Sequence, residues 1–306
     1  MTSPVAPAGP RRALLSPVVL GIGLMLLGMA LFSLNDAIGK WLVATYSVGQ
    51  VILIRSLAAL IVLAPVLWRG GLRPLVEVER PRLQAARVAF SVGEVICFYW
   101  AVTLLPLADV MTFWMAAPLC VAVASPLLLG ERVGLGRWLA TLGGFAGVLI
   151  ALEPFGAGPG GPVELGVALV GMACFAAMVL TGRQLRGTPD TTLVVWQITG
   201  VLAAGAVLAP WNWVPPTPPD FLMLGLLGVV AMLAHVCVNR ALKLAPAAAV
   251  APLQYTLLPW AVLLGWLFFG DLPRLAMLLG AAVIVTTGLA LLVAESLKKG
   301  AHSARG

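Results

Sequence analysis

Ala101-Val102-Thr103-Leu104-Leu105-Pro106 closes one apolar run, and Ala241-Leu242-Lys243-Leu244-Ala245-Pro246 closes another 140 residues later. The likeness continues in step, because Gly130-Glu131 returns as Gly270-Asp271 at the same shift. Upstream, Gly28-Met29-Ala30 with Phe32, Lys40 and Leu42 returns as Gly171-Met172-Ala173 with Phe175, Arg183 and Leu185, a shift of 143. Two copies of one unit follow.

Each copy holds five apolar runs. They lie at 17–43, 48–68, 84–104, 108–129 and 134–152, then at 163–181, 191–209, 220–242, 247–269 and 274–294. A helix crossing about 30 Å of hydrocarbon needs roughly 20 mostly apolar residues. Composition agrees: 61% of residues are hydrophobic, 10% are charged and the mean hydropathy is +1.02, beyond what a soluble core absorbs. The expected fold is an all-α polytopic membrane protein with ten transmembrane helices. It divides into an N-terminal tail 1–16, a first five-helix repeat 17–152, a linker 153–162, a second repeat 163–294 and a C-terminal tail 295–306. The Gly- and Pro-rich linker contains a formal GxGxxG at Gly156, Gly158 and Gly161, but no strand precedes it and it reads as a connector.

The net charge of +7 is explained by the membrane rather than by nucleic acid. With the N-terminus in the cytoplasm, only Lys40 and Arg274 of the 19 basic residues fall outside and Arg55 lies within a helix; the others, Arg87, Arg183, Arg240 and Lys243 among them, are inside. Both termini are therefore expected in the cytoplasm and the linker outside. Five is odd, so the second copy enters from the opposite face and the repeats are inverted, an architecture that lets two similar halves expose a midplane site to each side in turn. That points to a small-molecule transporter, with substrate and lipid as partners and a proton as a possible coupling ion.

Other classes find little support. Cys97, Cys120, Cys174 and Cys237 lie in apolar runs without a CxxC pair, so neither a disulfide nor a metal site is expected. The first apolar run is too long for a signal-peptide core, and no cofactor or catalytic motif such as HExxH, GxSxG or a P-loop occurs, which leaves a membrane-bound enzyme as the non-transport alternative. Gly143 and Gly147 form a GxxxG that permits close helix contact within a monomer or in a weak homodimer.

Tyr99-Trp100-Ala101-Val102-Thr103-Leu104-Leu105-Pro106-Leu107-Ala108 with Pro118 and Gly130-Glu131-Arg132 resembles the repeat signature of the EamA-type drug/metabolite transporter superfamily. Arg240 to Pro246, Pro259 and Gly270-Asp271 resemble its second copy, and Asn35 to Trp41 with Arg55-Ser56 resemble its first two helices. The resemblance spans about residues 17 to 295. It implies ten helices, proton-driven or facilitative transport, and substrates among amino acids, nucleosides, sugars and small cations. Within that range the reading leans toward bacterial exporters of neutral or aromatic amino acids, with uptake or exchange of adenosylmethionine or a nucleoside as the alternative.

Ionisable groups inside a membrane are costly and suggest function. Asp36, Arg55 and Glu94 fall at similar depth, roughly 15 Å from the outer surface when counted along their helices. Asp36, Lys40 and Arg55 form a structural charge network or a gate, with Asp36 and Lys40 spaced i,i+4; alternatively Arg55 or Glu94 meets the substrate or a coupling proton. Asn35 neighbours this group, and His235 and Asn239 share one face of helix 8. Pro118 and Pro259 fall near the middle of helices 4 and 9 as expected kinks, with Trp114, Met115, Gln254 and Tyr255 around them as a cradle; Tyr99 completes the candidate substrate contacts. The repeats are unequal here: Asn35, Asp36, Arg55 and Glu94 become Met178, Val179, Gln197 and Ala234, which confines this polar cluster to the outer third, as an external gate or release site.

Overall fold

The computed structural model describes residues 17–70, 78, 80–129, 135–152, 161–185, 187–244 and 251–303. Ten α-helices occur among them, and no strand: α1 (Pro17–Val43), α2 (Val48–Gly70), α3 (Pro81–Leu104), α4 (Leu107–Leu129), α5 (Leu135–Leu152), α6 (Pro162–Gln184), α7 (Asp190–Leu208), α8 (Pro218–Leu244), α9 (Leu257–Phe269) and α10 (Leu275–Ser303). Six of them, α1 to α3 and α6 to α8, are long and apolar enough to cross a membrane; the described parts of the other four form shorter apolar segments. In hydrocarbon the helix is the unit that satisfies its own backbone, which is why an apolar chain of this kind folds as an all-α polytopic protein.

Local sequence sets the helix ends. α1, α3, α6 and α8 each open on a proline, whose missing amide has no intrahelical partner to lose there. Leu105 is extended (φ −126°, ψ 153°) because Pro106 follows it, so α3 turns into α4 within two residues. At the end of α9, Gly270 takes φ 68° and the amide of Asp271 returns to the carbonyl of Gly265, which closes the helix.

Three boundaries differ from expectation. α3 starts at Pro81, three residues before the expected 84, so that Arg87 lies in its second turn. The ninth helix is split, with a 3₁₀ segment Ala251–Thr256 leading into α9. Pro259 thus occupies the first turn of α9 and not a mid-helix kink: its ring would strike the carbonyl of residue 255 in a continuous α-helix, and the tighter turn avoids this. α10 runs to Ser303, so most of the expected C-terminal tail is helical. α4 continues past position 118, but the side chain of Pro118, like the tail 1–16, linker residues 153–160 and Glu131, lies outside the described residues.

Packing between the halves follows the repeat. α1 lies on α8 and α6 on α3; α2 meets α8 and α7 meets α3; α4 meets α6 and α9 meets α1; α2 pairs with α7, α4 with α9 and α5 with α10. Exchanging α1–α5 for α6–α10 maps each of these contacts onto another or onto itself. The register agrees as well. A β-carbon on Gly28 would come 3.4 Å from Cys237 Cβ, and one on its counterpart Gly171 would come 2.9 Å from Cys97 Cβ, the two cysteines being themselves 140 residues apart. The Gly143/Gly147 face is taken by α10, since a β-carbon on Gly147 would lie 2.8 Å from the Gly280 carbonyl oxygen. That stripe therefore serves intramolecular contact and is not free for a homodimer.

Candidate functional site

A chain of side chains crosses the middle of the molecule. The Arg55 guanidinium on α2 donates to the hydroxyl of Tyr99 on α3 and lies 5.3 Å from that ring's centroid. Tyr99 is fully buried, and the bare backbone of Gly39 on α1 makes room for its ring. Phe98 meets Tyr99 and Trp114 edge-on, at 5.3 and 5.5 Å between centroids. Trp114 Nε1 then donates to Glu94 Oε1 at 2.9 Å, and Asn35 Nδ2 donates to Asp36 Oδ1 at 3.0 Å. Asp36 and Glu94 feel the Arg55 charge, yet neither reaches ion-pair distance of it.

Beside this chain lies a cavity of about 310 Å³, walled by α2, α3, α6, α7 and α8. Its polar lining is Arg55, Ser56, Arg87, Gln197 and His235. Arg87 reaches across from α3 to α7, donating to the Leu193 carbonyl at 3.2 Å and to Gln197 Oε1 at 3.1 Å. His235 sits edge-on to Phe32, with 4.8 Å between centroids, and feels both guanidinium charges. Arg55 and Gln197 are repeat counterparts, as are Val95 and His235, and all four line this cavity. The cavity therefore lies on the relation between the halves, where a carrier site belongs.

The end bearing the α1–α2 and α7–α8 connections is tied by polar contacts between elements. Lys40 Nζ meets Asp271 Oδ2 at 2.6 Å, and Arg274 meets Asp109 at 3.0 Å and the Ala151 carbonyl at 3.3 Å. Tyr46 donates to Asp220 at 2.5 Å, which raises the pKa of its phenol. Gln50 clasps the backbone of Val214 from both sides of its amide, at 2.6 and 3.1 Å. Buried Leu42, Val51, Ile52, Leu105, Leu107 and Val110 belong to the core cluster that packs this end.

The expected site residues thus separate. Arg55 and His235 line the cavity; Asn35, Asp36, Glu94, Tyr99 and Trp114 pack behind it, and Met115 is half-buried against the core. Lys40 does not join Asp36: it stands at the helix end, where its long side chain meets Asp271, while Asp36 lies a turn deeper beside Asn35. Tyr255 and Pro259 line a separate apolar groove of about 690 Å³ between α9 and α10, and Gln254 is exposed, so these residues form no cradle with the central cavity. The Asn239 side chain lies outside the described residues. Sequence reading missed Arg87 as a lining residue because, although within the third apolar run, it was counted only with the inside charges; a charge within an apolar run was the available signal.

The sequence profile of the EamA-like transporter family matches residues 19–152 and 164–294, once per repeat. The chain belongs to the EamA-like transporter family. It is a multi-pass protein of the bacterial inner membrane, and its family transports small metabolites across that membrane. Among its EamA relatives, one named a riboflavin transporter in Vibrio cholerae is 32% identical over 77% of this chain and 79% of its own. A second riboflavin transporter, from Rhizobium johnstonii, is 32% identical over 90% and 91%. The pseudopaline exporter CntI of Pseudomonas aeruginosa is 26% identical over 89% and 95%. A crystal structure aligns with a TM-score of 0.61 at 18% identity, over 90% of this chain and 96% of that one, a likeness of fold. None of these relatives is named for amino-acid transport.

Proposed function

We propose that this EamA protein is a secondary carrier of a small heteroaromatic metabolite of the riboflavin kind, working by alternating access with both termini in the cytoplasm. The observation that carries the mechanism is the central cavity, lined by repeat counterparts from both halves. Its volume is near the lower end of the roughly 300–1,000 Å³ usual for small-molecule sites. The substrate class is supported by two relatives named as riboflavin transporters that align over most of both chains. Glu94 is the proposed coupling-proton acceptor, and no enzymatic step is part of this reading.

Export of a neutral or aromatic amino acid is the second reading. It is favoured by guanidinium groups at Arg55 and Arg87 with carboxyls at Asp36 and Glu94 nearby, an arrangement suited to a zwitterion. Purified protein in liposomes separates the two. The first reading expects saturable counterflow of labelled riboflavin; counterflow of an amino acid without riboflavin would move the assignment to the second. If neither moved, and no nucleoside or adenosylmethionine moved, the carrier reading would be overturned.

A further inference from the structure

Arg87 and Gln197 together decide which polar groups the central cavity offers. A guanidinium has donors only, so the Gln197 atom that faces Arg87 at 3.1 Å must be the carbonyl oxygen, and its amide NH₂ points away. Gln197 lines the cavity, and that NH₂ has no partner among the described residues. Arg87 Nε is buried and also lacks one. Arg55 contributes further donors, while no carboxylate lines the cavity among the described residues.

We propose that Arg87, by fixing the Gln197 amide, makes this cavity specific for paired oxygen acceptors on the substrate, either two ring carbonyls or a carboxylate. Resting on the carrier reading above, it adds the feature by which substrate is chosen. Gln197 and Arg55 are the contacting residues; Arg87 is a positioning residue that also supplies a donor. Two guanidiniums without ion-pair partners among the described residues are costly in a membrane interior, and an acceptor-rich ligand offsets that cost.

The test uses the full chain in liposomes, with riboflavin as the dione probe, phenylalanine as the carboxylate probe and 6,7-dimethylquinoxaline as a ring without the dione. Either of the first two is expected to drive counterflow, which distinguishes dione from carboxylate, and the quinoxaline is expected not to compete. Gln197→Glu puts an acceptor in place of the donor while keeping a partner for Arg87, so the fold stays intact by melting temperature. KM should rise about tenfold with kcat little changed. Arg87→Lys keeps the charge but loses the planar fork and should raise KM less, in the same direction. An unchanged KM in Gln197→Glu, or a quinoxaline that competes as well as riboflavin, overturns this inference and leaves the carrier reading standing. A wild type that moves neither probe overturns it as well, because it then has no acceptor-bearing substrate to select; if nucleosides and adenosylmethionine are also inert, the carrier reading goes with it.

Discussion

One end of this protein and its central cavity use their polar residues in opposite ways. At the end of the α1–α2 connection, charges meet across elements: Lys40 with Asp271, Arg274 with Asp109, and Tyr46 with Asp220. Toward the start of α3 and α7, Arg87 and Gln197 hold one another beside Arg55 and His235, and among the described residues no carboxylate balances the two guanidiniums in the cavity wall. Matched pairs close a surface; unmatched donors around a space await a ligand. The difference also separates the charges that join helix ends from those at the centre. Of the expected Asp36, Lys40 and Arg55 network, Lys40 joins the ties at the helix ends, with Asp271 and beside Arg274 and Asp109, while Asp36 and Arg55 stay with Asn35 and Tyr99.

Substitutions at the centre and at that end should therefore separate transport from stability. Arg55→Leu removes the donor shared by Tyr99 and the cavity, and is expected to lower counterflow about a hundredfold. Loss of the donor to buried Tyr99 should cost about 1–3 kcal/mol of stability, offset in part by removal of the buried charge; retained transport by the folded fraction would mean the cavity is not the route. Glu94→Gln keeps a group able to accept from Trp114 Nε1 but cannot ionise, so pH-dependent transport should become flat while expression is kept. Persistence of the pH dependence would remove Glu94 from coupling. Lys40→Met leaves Asp271 without its partner in a partly exposed setting and should cost about 1–2 kcal/mol in denaturant unfolding. Adding Asp271→Leu should recover most of that loss, and a double mutant no better than the single one would refute the pairing as a latch. Gln50→Ala, which frees one donor and one acceptor at Val214, should cost about 1 kcal/mol, with transport of the folded fraction unchanged.

Legibility differed between fold and site for a physical reason. Ten apolar runs, the repeat at 140–143 residues and the family were readable because spanning length and hydropathy are properties of the chain itself. The turn at Leu105-Pro106 and the cap at Gly270 were marked by residues that restrict their own backbone. Pro259 misled because proline reports that a helix cannot continue unaltered, not whether it bends or begins there.

By itself the sequence determined the number of helices and their grouping in two repeats. Only the tertiary structure decided that Lys40 answers to Asp271 rather than Asp36, that Arg87 faces Gln197, and that Tyr255 lies apart from Arg55. Hydropathy acts along one helix, whereas each of those outcomes depends on the rotation and depth at which two helices meet.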